Sequence, residues 1–144
     1  MTLRPRHFAR PLVAGEASGR SLVLGARLSF AGGVSQETGI IIDHRHPRAG
    51  TCVASSVLVL PSGRGSSTSS NALGELLRQG RGPAAIIMLE VDQIVIMGVL
   101  LAQTLYGTVC PVLVADQPTF AAIVEGALVQ IRANGEIEIG PEGA

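Results

Sequence analysis

The densest concentration of reactive groups in this sequence lies at Ser62-Gly63-Arg64-Gly65-Ser66-Ser67-Thr68-Ser69-Ser70. Five serines (Ser62, Ser66, Ser67, Ser69 and Ser70) and Thr68 supply hydroxyls. Arg64 supplies a planar, permanently charged donor matched to a carboxylate or phosphate. Gly63 and Gly65 let the backbone approach a ligand closely. Together these parts suit a small anionic substrate. A Gly/Ser-rich loop also serves as a flexible connection, and any helix start welcomes serines. The embedded arginine and the position between a strand and a helix favour a site. No lysine follows the second glycine, so this is not a phosphate-binding P-loop. Nor does it read G-x-G-x-x-G or G-x-S-x-G.

The elements that must hold this loop are legible around it. Cys52 to Leu60 is a β-rich run that Pro61 ends. Beyond the loop, Ala72, Leu73, Leu76 and Leu77 recur at helical spacing until Gly80, with Ser67 as the expected N-cap. A helix begun there aims free N–H groups and a partial positive charge back at the loop. Upstream, Arg10 to Phe30 reads as two or three short strands, Gly32-Gly33 as a turn or bulge, and Gly39 to Asp43 as a short apolar stretch. Downstream, Ala84–Leu89 and Val109–Val114 read as buried strands, and Gln93–Tyr106 and Pro118–Glu125 as helices. Leu128–Arg132 and Glu136–Ile139 flank the turn signal Asn134-Gly135. Strands come first, then alternating helix and strand, then a hairpin. That order predicts one mixed α/β domain over residues 1–144, with residues 1–8 a loose basic lead.

A second polar cluster, His44-Arg45-His46, precedes Pro47. It reads either as part of a cleft or subunit interface, or as a solvated turn with Asp43 capping or pairing locally. Glu90 and Asp92 follow a strand end, where α/β folds bind ligands, but Asp92 also stands where the next helix needs a cap. Eleven arginines balance eleven acidic residues, and there is no lysine. A net charge of zero gives no reason to expect nucleic-acid binding. The apolar stretch Ala84–Leu105 is broken by Glu90, Asp92, Gln93 and Gln103, which argues against a membrane span. No continuous apolar segment follows the N-terminal arginines, so no secretory signal is expected. Cys52 and Cys110 are too few for a cluster or zinc site and read as small hydrophobes in a reducing, cytoplasmic setting.

Several strings resemble one known family in order along residues 10–132. They are Phe30-Ala31-Gly32-Gly33-Val34, Gly39-Ile40-Ile41-Ile42-Asp43-His44-Arg45-His46-Pro47, Pro61 to Ser70, Gly82 to Ile87, and Leu105 to Val112. The family is the small subunit of aconitase X. The resemblance implies a swivelling β/β/α domain that closes over the active site of a large subunit. It also implies that this chain binds no cofactor or metal itself, the iron or iron–sulfur centre being held by cysteines of the large subunit.

In the wider aconitase family the swivelling domain carries a Gly-Ser-Ser-Arg segment whose first serine is the catalytic base and whose arginine grips a substrate carboxylate. By position, Gly65-Ser66-Ser67 matches, which makes Ser66 the candidate base. Thr68 stands where the arginine would be, and Arg64, on the other side of the serines, is the candidate replacement. Ser62, Gly63, Gly65, Ser67 and Thr68 complete the expected substrate-binding set.

The implied reaction is elimination of water, with the partner's metal drawing off the hydroxyl and Ser66 taking the proton from the neighbouring carbon. Two substrates stand open from the resemblance: cis-3-hydroxy-L-proline, favoured by the arginine-only, low-charge composition, and phosphomevalonate. Two other classes compete, a stand-alone anion-binding module and a serine hydrolase using His44 or His46. The hydrolase lacks an elbow motif and a triad order, and labelling by a fluorophosphonate would be its signature.

Overall fold

The computed structural model describes residues 6–142. In chain order the elements are β1 (His7–Phe8), β2 (Arg10–Val13), β3 (Ala17–Val23), the helical turn α1 (Phe30–Gly33), β4 (Val57–Leu60), α2 (Ser67–Arg78), β5 (Ala85–Met88), α3 (Gln93–Tyr106), β6 (Val112–Val114), α4 (Gln117–Ala122), β7 (Ala127–Ile131) and β8 (Glu136–Glu142). The expected loose lead falls partly outside the described residues. Its last two, His7 and Phe8, form β1 and pair with β8.

One eight-stranded sheet runs β1-β8-β7-β3-β4-β5-β6-β2. Its two edge strands, β1 and β2, are separated in the chain only by Ala9, whose N–H donates to the Gly135 carbonyl at 3.0 Å. The sheet is therefore nearly closed on itself. β3, β4, β5 and β6 are parallel, and the remaining pairings are antiparallel.

Alternate residues of the central strands point to two cores, which explains why these strands read as unbroken apolar runs. Leu58, Leu60, Ile86, Met88 and Val112 pack with Leu73, Leu76 and Leu77 of α2 and Val95, Val99 and Ala102 of α3. Val57, Val59, Ala85, Ile87 and Leu113 face the other way, onto Ile123, Val129, Ile131 and Ile137. Both crossover helices thus lie on one face, and the terminal hairpin lines the other.

Several boundaries differ from the sequence reading. The run from Cys52 contributes a strand only from Val57, because a turn with Ser55 at φ +61° intervenes, leaving Cys52 in an isolated bridge to Ile40. The strand expected from Val109 begins at Val112. The Asn134-Gly135 turn is a three-residue loop, with the Gly135 N–H donating to the Arg132 carbonyl and Gly135 at φ +94°, rather than a two-residue reversal. No helix among the described residues is long and apolar enough to cross a membrane.

Candidate functional site

β4 ends at Leu60, and the loop that follows rises above the carboxyl ends of the parallel strands, where α/β folds bind ligands. Gly63 pairs with Leu28 in an isolated parallel bridge, and the Arg64 N–H donates to the Leu28 carbonyl at 3.0 Å. A side chain at Gly63 would strike Val95 and Asp92 at the start of α3, so only glycine lets the loop lie this close to the helix. Gly65 sits at φ +121°, and a Cβ there would collide with the Ser69 hydroxyl. That turn sends the chain into α2, with Ser66, not Ser67, in the extended N-cap conformation.

The start of α2 is open. Ser66 makes no side-chain cap hydrogen bond, and no acidic residue lies in the first turn. Ser66, Ser67 and Thr68 are exposed. Ser69 and Ser70 are buried beneath them, and the Ser70 hydroxyl donates to the Ile94 carbonyl at 2.7 Å, tying α2 to α3.

A cleft of about 770 Å³ opens beside this helix start. Three loops wall it: Ser29 and Ala31 to Gly33, Ile42 to Arg45, and Arg64 with Gly65. Asp43 joins two of the walls. Its carboxylate accepts from the Arg45 N–H at 3.0 Å and from Arg45 Nε at 3.3 Å, and lies 3.5 Å from Arg64 Nη2. The Arg45 backbone N–H, then the guanidinia of Arg45 and Arg64, hold the Asp43 carboxyl below its ordinary pKa.

The expected site residues separate into groups. Arg64, Gly65, His44 and Arg45 line the cleft. Gly65 is the last loop residue to line the cleft; Ser66, next in the chain, and Ser67 and Thr68 are exposed at the start of α2 and are not among the lining residues. Ser62 is buried and donates its hydroxyl to the Gly63 carbonyl at 3.0 Å, so it holds the loop's shape. His46 is buried too: its Nδ1 accepts from the Arg48 N–H at 3.0 Å, which secures the turn after Pro47. Asp92 caps α3, accepting from the N–H groups of Ile94 at 2.8 Å and Val95 at 3.4 Å.

Ser29 is a wall residue with no sequence signal of its own. Its hydroxyl lies 3.3 Å from that of Ser69 and donates to the Ala31 carbonyl. Asp43 reads from sequence only as a local pairing group; its reach to Arg64 exists only in the fold.

The thiols do not suit a metal. Cys52 is exposed and Cys110 is buried, the burial pushing the Cys110 thiol up to about 12. Among the described residues no three His, Cys, Asp or Glu side chains gather as a metal would require.

The model of the aconitase X swivel domain matches residues 6–139. This chain belongs to that family. It is 38% identical over 119 residues to a cis-3-hydroxy-L-proline dehydratase of Hypocrea jecorina, a match covering 83% of this chain and 20% of the relative. It is 32% identical over 130 residues to the phosphomevalonate dehydratase small subunit of Methanothrix thermoacetophila, covering 90% of both chains. The crystal structure of Thermococcus kodakaraensis aconitase X in its holo-form superposes with a TM-score of 0.83 at 32% identity, covering 95% of this chain and 99% of that one. The expected swivelling α/β architecture is thereby borne out. The chain spans about a fifth of the length of the hydroxyproline dehydratases it matches, and 90% of the length of the Methanothrix small subunit.

Proposed function

We propose that this swivel domain is the small subunit of a two-subunit hydro-lyase that removes water from a small hydroxy carboxylate. The observation that carries the reading is the uncapped start of α2 beside a cleft walled by Arg64. The role assigned to Arg64 is to grip the substrate carboxylate, with Arg45 and His44 lining the same space. The role assigned to Ser66 is to take the proton from the carbon next to that carboxylate as the carbon–oxygen bond to the departing hydroxyl breaks. A serine hydroxyl ionises only with strong help. The free N–H groups and positive end of α2, with Arg64 two residues away, supply it. The backbone at Gly63 and Gly65 and the hydroxyls of Ser67 and Thr68 complete the anion's surroundings.

The large subunit is assigned the iron or iron–sulfur centre, which would supply a Lewis acid for the departing hydroxyl. A partner is supported by the surface of α3. This helix carries no charged residue, yet Met97, Leu100, Leu105 and Tyr106 are exposed on it. An uncharged helix that exposes four large hydrophobic side chains is one that another body covers. Unpaired cysteines agree with a cytoplasmic setting.

Cis-3-hydroxy-L-proline is the proposed substrate, supported by relatives at 38% and 44% identity named for it. Phosphomevalonate is the second reading, favoured by the small-subunit relatives that share this chain's length.

The test is pyrroline formation from cis-3-hydroxy-L-proline by this chain alone, by the pair with its large subunit, and by the pair carrying Ser66→Ala. The expected outcome is activity only in the pair, and a loss of about a hundredfold or more on Ser66→Ala with association intact. Because Ser66 makes no cap bond, its truncation reads chemistry rather than stability. Full activity of Ser66→Ala would remove Ser66 as the base. A wild-type pair active on phosphomevalonate alone would exchange the substrate. Inactivity on both, with anion binding by the chain alone, would favour a non-catalytic module.

A further inference from the structure

Asp43 and Arg64 come from loops 21 positions apart, and their carboxylate–guanidinium contact at 3.5 Å joins two walls of the cleft. The two partners are unequal. Asp43 is fixed by its own loop: its side chain is 18% exposed, its Oδ1 accepts two donors from Arg45, and its carbonyl accepts from the His46 N–H at 3.0 Å. Arg64 has a long side chain that is 54% exposed, on a backbone flanked by Gly63 and Gly65. A guanidinium so placed has many rotamers available, and holding one of them ready lowers the entropy lost when a ligand binds. The fixed carboxylate therefore orients the arginine, and not the reverse.

An exposed ion pair of this kind contributes little to stability, so the fold has small need of it. Its effect falls on the cleft. With Arg45 and Arg64 both positive and Asp43 negative, the trio carries one net positive charge, which matches one carboxylate better than a phosphate dianion.

We propose that Asp43 is a positioning residue of the site: it holds Arg64 over the cleft in the orientation that receives a substrate monocarboxylate. The proposal rests on the carboxylate-gripping role of Arg64 above, and it goes further by naming what orients Arg64 and which class of anion the trio selects.

The test uses Asp43→Asn, which keeps an oxygen for the Arg45 N–H and removes the charge facing Arg64. Two readouts separate this proposal from the function it rests on. In the isolated full chain, NMR relaxation of the Arg64 Nε–H should show an ordered side chain in the wild type and a mobile one in Asp43→Asn, with the backbone spectrum otherwise unchanged. In the pair with the large subunit, KM should rise about tenfold, with kcat changed much less. In that pair Asp43→Asn should also strengthen inhibition by inorganic phosphate relative to a monocarboxylate such as L-proline. The double variant with Arg64→Ala should be no worse than Arg64→Ala alone, because Asp43 acts through Arg64. Equal Arg64 order in the two chains overturns the clamp. Lost order with unchanged KM overturns its service to the site, and additive losses in the double variant overturn action through Arg64. A pair inactive on both substrates removes the dehydratase reading, and the relaxation result still decides whether the clamp exists.

Discussion

α2 and α3 are packed neighbours on one face of the sheet, and both begin after the carboxyl end of a parallel strand, yet their first turns are treated in opposite ways. α3 opens with Asp92, whose carboxylate takes two of the helix's free N–H groups. α2 opens with Ser66, whose side chain takes none, and its first turn holds no acidic residue. A cap contributes about 1 kcal/mol, so leaving it unmade has a cost. The serine needed for a cap is present and already in the N-cap conformation. The difference teaches which helix end serves the fold and which stays available to an anion.

The sharpest way to break the comparison is Ser66→Asp, which gives α2 the kind of cap α3 has. Turnover of the two-subunit enzyme should fall at least about a hundredfold. The melting temperature of the isolated chain should hold or rise, since a carboxylate at a helix start contributes roughly 0.3–1 kcal/mol. Retained turnover would mean that the open start of α2 is not where the substrate anion sits.

Next in size is the packing that keeps the two starts side by side. Gly98 of α3 faces α2 so closely that a Cβ there would come within 2.8 Å of the Ser70 carbonyl oxygen and 3.1 Å of Leu73 Cβ. Gly98→Val should cost about 2 kcal/mol in denaturant unfolding, because backbone must move. An unchanged midpoint would show that the helices separate freely.

Asp92→Ala removes the cap of α3 and should cost about 1 kcal/mol. Turnover of the pair should stay within a few-fold of wild type. A collapse of activity without a loss of stability would move Asp92, whose carboxylate borders Gly63, from the fold to the site.

Sequence reading was strong where one physical rule dominates. The doubly buried strands β4, β5 and β6 announce themselves as apolar runs, and α3 announces both ends through Asp92 and the left-handed Gly107. Arg64 and Gly65, singled out by residue type and order, line the cleft. What was not legible depends on loops that meet only in three dimensions. Ser29 and Asp43 sit in segments held by single bridges such as Leu28 to Gly63 and Val34 to Ile41, where no period of two or 3.6 can arise. The separation of His44 and Arg45 from His46 is likewise set by a turn. Adjacent residues of a polar run go to opposite environments there, two in the cleft and one buried against the Arg48 backbone.

The smallest expected effect sharpens the comparison through pH. α4 shares the capped design: Asp116 accepts from the Thr119 N–H at 2.9 Å. The Thr119 side chain, the Thr119 N–H and the nearby His7 hold the Asp116 carboxyl below its ordinary 3.8, against a lesser opposing effect of burial. A carboxyl lowered on folding contributes its stability above the unfolded pKa and loses it as pH falls through the folded one. The first turn of α4 should therefore lose hydrogen-exchange protection as pH drops below about 4, and regain it on return. The first turn of α2 has no carboxylate cap to protonate, so Ser67 and Thr68 should exchange as fast above that range as within it, once the intrinsic pH dependence is divided out. Parallel loss at both helix starts would reveal a carboxylate serving α2 and end the contrast. Loss at α4 alone would leave the start of α2 as the one of the two that the fold does not close.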